Sequence, residues 1–365
     1  MRLEMPRELE DEIYRCFRCG FCRQACPTFT IMGSESWNAR GRLMLARSVL
    51  EGSAEVDPRL LDRIYSCTSC SACEVVCPAV VRIVDALQAF KEGLISTGVE
   101  PPGRISELAE AIVEKGNPFG RVGGYEVEGS GDLLIFTGCV ASELEPCILD
   151  ALERILEEAG IAYSILRGAC CGAPLLRFGM RAEAEKVARR VAEALRASGA
   201  REVITPCPSC LEMLDRSVKP LVGQDIRLRH TSSFLRGLLK EGKLEVKRRL
   251  GLRATYHDPC VLGRRLGIYE EPREVLRRAG LFLTEMPQSK ERSFCCGHGY
   301  LAFEAYPELA DAMAERRVDE ALRANVDVLV TACPSCLHGL SGAARRIARA
   351  LAISDITEVV AEAIR

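Results

Sequence analysis

The sequence predicts an α+β multidomain protein in which an N-terminal α-helical domain precedes two pseudo-symmetric α/β lobes. Three observations lead to this prediction. Two tight cysteine runs lie among helical segments before residue 120, strands alternate with helices from residue 132 onward, and that order of elements then repeats. At 365 residues the chain is long enough for several domains with cores of their own.

The N-terminal domain, residues 1–120, is assigned from the two cysteine runs and the helical patterns beside them. Each run reads C-x2-C-x2-C-x3-C-P and is closed by Pro27 or by Pro78. Segments 38–50 and 80–94 have the apolar periodicity of helices. Because 40 residues separate the runs, a helix-rich ferredoxin-like domain fits better than a compact β-rich one. The Gly-rich stretch 121–131 marks the boundary with the next domain.

The first α/β lobe, residues 132–245, is assigned from alternating strand and helix patterns. Strands are predicted at 132–137, 163–166 and 202–205, and helices at 146–159 and 181–197. Five cysteines follow the ends of the predicted strands, at Cys139, Cys170, Cys171, Cys207 and Cys210.

The second lobe, residues 246–365, repeats this order. Strands are predicted at 253–256, 281–285 and 326–330, and a helix at 307–324. Five cysteines recur at Cys260, Cys295, Cys296, Cys333 and Cys336, and matched cysteines are offset by 121, 125 and 126 residues. Such a repeat implies two homologous lobes facing each other across a pseudo-twofold axis. Mainly parallel strands are expected, with the cysteines at their carboxyl ends.

Composition narrows the functional classes. The chain carries 49 basic and 51 acidic side chains, so it lacks the basic excess of a nucleic-acid-binding protein. The N-terminus has no apolar stretch of the kind found in signal peptides, and no apolar run reaches the ~18 residues of a membrane span. We therefore expect a cytoplasmic protein, able to dock on the cytoplasmic face of a membrane complex. Thiols stay reduced there, so the 19 cysteines indicate metal or redox chemistry, not disulfides.

The two tight runs have the spacing of [4Fe–4S] cluster ligands. In two-cluster ferredoxins three cysteines of a run hold one cubane cluster, and the fourth, Pro-followed cysteine ligates the other. The motif thus predicts two cubane clusters, with the ligand sets Cys16, Cys19, Cys22 and Cys77, and Cys67, Cys70, Cys73 and Cys26. Zinc is the alternative, but zinc sites usually use two separate cysteine pairs.

The dispersed cysteines form a second, different motif. From Cys139 the sequence reads C-x30-CCG-x34-CPSC, and from Cys260 it reads C-x34-CCG-x35-CPSC. The motif resembles a tandem CCG domain, as found in heterodisulfide reductases and in the iron–sulfur subunits of glycolate oxidase and anaerobic glycerol-3-phosphate dehydrogenase. Placed after two ferredoxin runs, it resembles the D-type subunit of heterodisulfide reductase along essentially the whole chain.

This resemblance implies that each five-cysteine set holds a noncubane [4Fe–4S] cluster, and that the two clusters reduce a disulfide with electrons from the cubanes. The ten dispersed cysteines would then be the catalytic residues, and the substrate a disulfide or thiol. Relatives that only relay electrons often lack one cysteine of the terminal pair, whereas Cys207/Cys210 and Cys333/Cys336 are both complete.

The alternative function is electron transfer, in the iron–sulfur component of a flavin-dependent glycolate, lactate or glycerol-3-phosphate dehydrogenase that delivers electrons to a quinone or membrane cytochrome. Both functions require an electron partner, either a flavoprotein or a membrane cytochrome b subunit. The sequence has no G-x-G-x-x-G fingerprint, so flavin or nicotinamide chemistry is expected on that partner.

The remaining candidates are single residues. His257 and His298 flank cluster cysteines and could act as proton donors near neutral pH. For His257 a structural role is favoured over proton donation, and for His298 neither role is favoured. His230 and His338 are interpreted as structural or solvent-facing.

Arginines and a lone cysteine complete the candidate set. Arg177, Arg264 and Arg265 could bind an anionic thiol substrate. The favoured interpretation is that they are solvated arginines on the surface. Cys147 opens a predicted helix, where a thiol pKa can fall, but a buried helical cysteine is favoured. Trp37 is interpreted as a packing residue.

Overall fold

The computed structural model describes residues 3–120, 124–223, 225–347 and 350–365. Part of the predicted boundary segment, residues 121–123, therefore lies outside the described residues. Within the described residues no helix combines the length and apolar character needed to cross a membrane.

The N-terminal part is entirely helical, as predicted. Its helices are α1 (Arg7–Tyr14), α2 (Phe21–Ala25), α3 (Pro27–Met32), α4 (Ala39–Leu50), α5 (Pro58–Tyr65), α6 (Ala72–Val75), α7 (Ile83–Ser96) and α8 (Gly103–Lys115). Asn38 caps α4 by accepting a hydrogen bond from the Gly41 amide at 2.9 Å. The second predicted helix begins three residues late because Val80 has a left-handed backbone, with φ of 50°.

The first lobe is built around a five-stranded sheet. In chain order its elements are β1 (Val127–Gly129), β2 (Leu133–Gly138), α9 (Cys139–Glu143), α10 (Cys147–Glu158), β3 (Tyr163–Arg167), α11 (Ala173–Phe178), α12 (Arg181–Ser198), β4 (Glu202–Thr205), α13 (Pro208–Met213), α14 (Lys219–Val222), β5 (Arg227–His230) and α15 (Thr231–Lys240). The strand order is β1-β3-β2-β4-β5, and only β1 runs antiparallel to its neighbour. The sequence had not indicated β1, which lies in the predicted boundary segment.

The second lobe has a four-stranded parallel sheet of order β7-β6-β8-β9. Its elements are β6 (Arg253–Tyr256), α16 (Glu270–Arg278), β7 (Phe282–Leu283), α17 (Ala302–Ala305), α18 (Pro307–Arg323), β8 (Val328–Thr331), α19 (Pro334–Ile347), β9 (Ala352–Asp355) and α20 (Ile356–Ala363). Strand β7 is shorter than predicted. The sheets share the order expected of a repeat, while a pseudo-twofold axis between the lobes remains a prediction.

Two apolar cores hold the parts together. One lies between the sheets, where α10 packs on α20 and α15 packs on α16. The other runs from the N-terminal helices into the first lobe and on to the second-lobe segment from Cys260 to Met313. Because this core crosses the predicted limits at 120, 132 and 245, those limits remain a prediction. The continuous packing brings all four cysteine sets toward one interior.

Candidate metal centres

The first tight run surrounds a cavity close to the surface. The cavity is lined by Cys16, Cys19, Cys22 and Cys77. The loop between α1 and α2 that carries the first two thiols turns through Arg18 and Gly20, both with positive φ. Cys22 is buried, whereas Cys19 is exposed. This group of thiols therefore reaches the molecular surface.

A second cavity lies deeper and is lined by Cys26, Cys67, Cys70 and Cys73. Cys26 comes from the first run but sits with the three cysteines of the second, directly before α3. The two cavities thus group the cysteines in the way that the crossed pairing requires. The role of each residue as a ligand remains a prediction.

Three cationic side chains near the second cavity lack an acidic partner among the described residues. The buried Arg42 guanidinium donates to the Trp37 carbonyl at 2.7 Å and lies 4.0 Å from the Cys26 sulfur. The buried Lys91 ammonium donates to the Arg177 carbonyl at 3.0 Å.

Arg264 is the third cation. It donates to the Cys70 carbonyl at 2.6 Å and the Ser293 carbonyl at 2.8 Å, and its buried Nη2 atom has no hydrogen-bond partner. Unpaired buried charge costs several kcal/mol. These cations therefore fit an anionic group, such as a thiolate-bound iron–sulfur cluster, in the space beside them.

The first dispersed set gathers at the carboxyl ends of β2, β3 and β4. Each thiol of the set shifts the pKa of its neighbour, so the five thiols form an unbroken series of interacting groups. The order of the series is Cys139, Cys170, Cys171, Cys210 and Cys207. Gly138 has φ of 72°, and a Cβ atom there would lie 2.9 Å from the Cys210 sulfur. Glycine at this position lets the strand end approach the thiols closely.

The second dispersed set repeats the series at the ends of β6, β8 and the loop after β7. The order is Cys260, Cys295, Cys296, Cys336 and Cys333, with 3.2 Å between the Cys296 and Cys336 sulfurs. The two series meet at Cys207 and Cys333, where the interaction with Cys207 raises the pKa of Cys333. All ten dispersed cysteines therefore form one continuous series across both lobes.

The second tight run joins this series at its second-lobe end. The interaction with the Cys295 thiol lowers the pKa of Cys70 to about 5. A continuous thiol path consequently runs from the deeper cavity into the second lobe and then into the first.

The dispersed thiols differ in their acidity because each one is tied to a neighbour. Hydrogen bonds from Cys210 and from Cys295 hold the pKa values of Cys207 and Cys296, respectively, well below the usual range. The hydrogen bond between Cys170 and Cys171 instead raises the pKa of Cys171. All 19 cysteines are free of disulfides. Metal ligation requires thiolates, and such crowded thiolates need bound cations to coexist in a buried site, so this donor set fits iron–sulfur clusters.

The histidines occupy four different settings. His257 and His230 are fully buried, and His230 caps α15 by accepting a hydrogen bond from the Ser232 amide at 3.2 Å. His298 Nδ1 lies 2.9 Å from the Cys296 carbonyl, and burial lowers its pKa. His338 pairs with Glu145 at 2.9 Å. The structural role predicted for His230 is confirmed.

The interpretation of three arginines as solvated surface residues is wrong. Arg177, Arg264 and Arg265 are not solvated surface residues, because they form interior hydrogen bonds. Arg265 pairs with the buried Glu212 at 2.6 Å, and Arg177 lies 3.4 Å from the same carboxylate. Helical and strand periodicity gave no signal for this network, since its members come from separate elements.

Cys147 and Trp37 have the roles that were favoured. Cys147 begins α10 half-buried, and burial raises its pKa to about 12, so the thiol is not activated. Trp37 packs beneath the Arg63 guanidinium, 4.2 Å from the ring centroid. Sequence reasoning missed Arg42, Lys91 and Arg317, whose only signal is a charge on an otherwise apolar helix face.

Comparison with known proteins agrees with this arrangement. The model of the cysteine-rich domain, CCG, matches twice, at residues 133–215 and 254–341. The model of the 4Fe-4S dicluster domain matches residues 12–81. The fold and its cysteine sites therefore define an iron–sulfur electron-transfer oxidoreductase subunit.

The relatives identify the family. The chain is 32% identical to the D-type subunit of the dihydromethanophenazine:CoB--CoM heterodisulfide reductase of Methanosarcina barkeri, over 97% of this chain and 94% of the relative. It is also 28% identical to the B-type subunit of the fumarate reductase (CoM/CoB) of Methanothermobacter marburgensis, over 91% of this chain and 69% of the relative. The chain belongs to the family of heterodisulfide reductase D-type subunits.

Two further matches are more distant. The EtfAB:quinone oxidoreductase of Syntrophomonas wolfei is 25% identical over 94% of this chain and 57% of its own length. A solved structure of a hypothetical protein from Helicobacter pylori has a TM-score of 0.64 with 11% identity, covering 90% of this chain and 68% of that chain. The latter shows a shared fold.

Proposed function

We propose that this protein passes electrons through two cubane [4Fe–4S] clusters to two noncubane clusters, which reduce a disulfide substrate. The tight runs would hold the cubanes in the crossed pairing, and the dispersed sets would each hold one noncubane cluster. The observation that carries the proposal is the unbroken series of ten thiols, which joins two complete five-cysteine sets through Cys207 and Cys333.

The order of electron flow follows from burial and contact. With Cys19 exposed, the first cubane would lie at the surface, and the second would lie deeper, near Arg42, Lys91 and Arg264. The interaction between the Cys70 and Cys295 thiols would connect that second cubane to the second lobe. Electrons would therefore enter at the first run, pass to the second and reach the second-lobe set before the first-lobe set.

The proposed reaction is RSSR′ + 2 e⁻ + 2 H⁺ → RSH + R′SH. The S–S bond breaks, and each sulfur gains one electron and one proton. When bound, the clusters of the dispersed sets supply the two electrons. The protein holds the two mostly buried thiol sets against each other, with Gly138 and Gly297 allowing close packing of the backbone.

Loss of one cysteine in each dispersed set tests the proposal. Cys171→Ser and Cys296→Ser are expected to abolish disulfide turnover with a chemical reductant, while both cubane signals persist in EPR spectra. Cys147→Ser is the matched control and should retain wild-type turnover, since its thiol lies outside the series. Full activity in either dispersed-set variant would contradict the proposal.

Electron partners are part of the proposal. Relatives are named as subunits of reductases, which supports the existence of partner subunits. The proposed electron partner is a flavoprotein or a membrane cytochrome b subunit. Co-purification with a flavin-dependent dehydrogenase, together with no disulfide turnover by the isolated holoprotein, would instead support the electron-transfer function. The complete terminal cysteine pairs of both lobes favour the reductase.

A further inference from the structure

The second lobe contains a buried histidine with one unpartnered nitrogen beside its thiols. Arg317 Nε donates to His257 Nδ1 at 3.1 Å, and both side chains are fully buried. His257 Nε2 is buried and makes no conventional hydrogen bond. A ring nitrogen of His257 lies within 4.8 Å of the Cys296 and Cys336 sulfurs. Because Nδ1 faces Arg317, the nitrogen open to these sulfurs is Nε2.

The Arg317 hydrogen bond determines what His257 can do. A guanidinium only donates, so the Nδ1 lone pair is occupied and the neutral ring carries its proton on Nε2. A protonated Nε2 cannot ligate iron, but it can donate a hydrogen bond to sulfur. Arg317 is itself held by Glu320 at 2.6 Å and by the Gln288 carbonyl at 2.8 Å, which fixes the direction of its Nε–H.

The first lobe has apolar residues at the equivalent places. In the first lobe Ile135 of β2 pairs with Ile204 of β4, and in the second lobe Tyr256 of β6 pairs with Val330 of β8. The residues that follow Ile135 and Tyr256, namely Phe136 and His257, therefore occupy equivalent positions. The glycine after each CC pair packs against the long helix of its lobe, and this shared packing shows which residues of α12 and α18 are equivalent.

Gly172 contacts Ala184 and Val187, and Gly297 contacts Ala310 and Met313. Ala184 of α12 is therefore equivalent to Ala310 of α18. Val191 and Arg317, each seven residues further along, are equivalent as well. Phe136 and Val191 are both fully buried. At these two described positions the first lobe therefore offers its thiols no side-chain hydrogen-bond donor.

We propose that His257, positioned by Arg317, donates an Nε2–H hydrogen bond to the sulfur of Cys296, so that the second-lobe cluster has the higher reduction potential of the two. The inference rests on the proposed function, because it requires a cluster in each dispersed set. Hydrogen bonds to cluster sulfurs are one determinant of reduction potential, and a donor stabilises the more negatively charged reduced state. The lobes would thus play unequal parts, the second-lobe cluster being reduced first.

Potentiometric EPR titration of the anaerobic holoprotein tests this inference. The wild type should show two different midpoint potentials for the dispersed-set clusters. His257→Phe, which installs the first-lobe residue, should move only the higher potential to a more negative value. His257→Gln keeps an N–H donor and should retain a larger part of the potential difference. Phe136→Leu is the matched first-lobe control and should move neither value.

The outcomes distinguish failure of the His257 hydrogen bond from failure of the proposed function. Unchanged potentials in His257→Phe, with full iron and sulfide content, would overturn the hydrogen bond but not the clusters. Pulsed EPR on ¹⁵N-histidine protein gives a second readout that does not depend on a variant: weak nitrogen coupling is expected, and strong coupling would make His257 a ligand and overturn the inference. Iron sufficient only for the cubanes would overturn the proposed function.

A second, independent observation concerns the surface around the first cavity. Phe17, Phe21 and Val80 are 76%, 63% and 75% exposed. The two phenylalanines line the same cavity as the exposed Cys19, and Val80 follows Cys77 by three residues. Large exposed apolar groups gathered at one place indicate an interaction surface.

The charges at this surface indicate the partner. Residues 15–23 include the exposed Arg15, Arg18 and Arg23 and no carboxylate. Arg15 pairs with Glu12 at 3.0 Å, and Arg23 lies 3.5 Å from Glu35. Arg18 forms no ion pair within the part of the chain that the structure describes. We infer that the surface docks an electron-transfer protein with an apolar patch bordered by carboxylates, at the point where the first cubane comes nearest to solvent. This inference also rests on the proposed function, because it requires that cubane.

Cluster reduction by two donors tests the surface. The probes are a small acidic two-[4Fe–4S] ferredoxin and the methyl viologen radical. Phe17→Ser/Phe21→Ser and Arg18→Glu should each lower the ferredoxin rate constant at least fivefold and leave the viologen rate unchanged. Added salt should slow the wild-type ferredoxin reaction. Phe282→Ser, a 67% exposed phenylalanine of the second lobe, is the control and should retain both rates.

Three results would overturn the surface assignment. These are equal ferredoxin rates in the wild type and both variants, an equal loss with both donors, and no reduction of the wild type by ferredoxin. Iron and sulfide analysis of each variant distinguishes them from failure of the proposed function, in which the first cubane itself would be missing.

Discussion

The Cys70 thiol among the N-terminal helices interacts with the Cys295 thiol of the second lobe, and this interaction lowers the pKa of Cys70 and raises that of Cys295. The two residues are 225 positions apart in the sequence, and Arg264, which donates to the Cys70 carbonyl at 2.6 Å, lies beside both. The thiols of the second tight run therefore interact with the second five-cysteine set, and the proposed relay would reach that set before the first.

This contact predicts the effect of removing the second cubane. In Cys70→Ser, electrons supplied at the first run by a protein donor should reduce the second-lobe cluster at least tenfold more slowly, because the connection between them is lost. Freeze-quench EPR after mixing with the reduced donor measures this rate. Cys147→Ser should behave as wild type, and an unimpaired rate in Cys70→Ser would contradict the relay order.

The buried cations near the second cavity predict opposite effects on the apoprotein and holoprotein. In Lys91→Met the apoprotein should gain about 1–4 kcal/mol in its free energy of unfolding, because an unpaired buried charge is removed. The second cubane should become harder to reduce, by roughly 60 mV, the equivalent of a tenfold change in a one-electron equilibrium. Denaturant unfolding and potentiometry measure the two effects.

The matched control for Lys91 is Lys115→Met, because Lys115 is exposed at the end of α8. That variant should change neither quantity by much. A cubane potential that is the same in Lys91→Met and wild type would show that the ammonium does not act on the cluster.

Asp355 predicts a pH dependence of stability. It caps α20 by accepting a hydrogen bond from the Thr357 amide at 2.9 Å, and burial raises its pKa from 3.8 to about 7. The folded state therefore binds the proton more tightly than the unfolded state does. Stability is full below about pH 4 and declines as the pH rises to about 7, by at most about 1.4 kcal/mol per pH unit.

Asp355→Asn should remove this decline, because the amide keeps the accepting oxygen without the titration. Thermal unfolding between pH 5 and 8.5 should show the variant gaining stability relative to wild type as pH rises. Asp57→Asn, at the exposed cap of α5, should show no such gain. Parallel pH profiles for Asp355→Asn and wild type would refute the assignment.

Gly138 predicts a cluster-specific defect. In Gly138→Ala the new Cβ would lie 2.9 Å from the Cys210 sulfur, so the first-lobe thiols should shift and lose their cluster. Gly160→Ala has a similar φ of 65° with open space around the added Cβ atom. It should lose only about 1–2 kcal/mol of stability from backbone strain. Iron content separates the two effects, and full iron in Gly138→Ala would contradict the prediction.

Much of the local structure was predictable because it depends on short-range patterns. The helix at 38–50, the strand at 202–205 and the helix at 181–197 each match the structure to within a residue or so. Apolar periodicity and capping residues act over a few positions, and so they can be read from one segment alone.

The strands that were missed lie where that periodicity is weak. Strand β1 has only three residues, and the predicted second-lobe strand at 281–285 shrinks to Phe282–Leu283 at a sheet edge. Pairing with β3 makes β1 a strand, and that pairing depends on a partner more than thirty residues away.

The sequence by itself determined which residues are candidate ligands, since cysteine spacing and flanking Pro or Gly are local features. Only the tertiary structure decided that Cys70 meets Cys295 and that Cys207 meets Cys333. It also decided that His257 contacts Arg317 in the second lobe, whereas the first lobe has Phe136 and Val191 at the equivalent positions. The physical reason is that these contacts, and the burial that leaves Arg42 and Lys91 unpaired, arise only when helices and strands distant in sequence pack into one core.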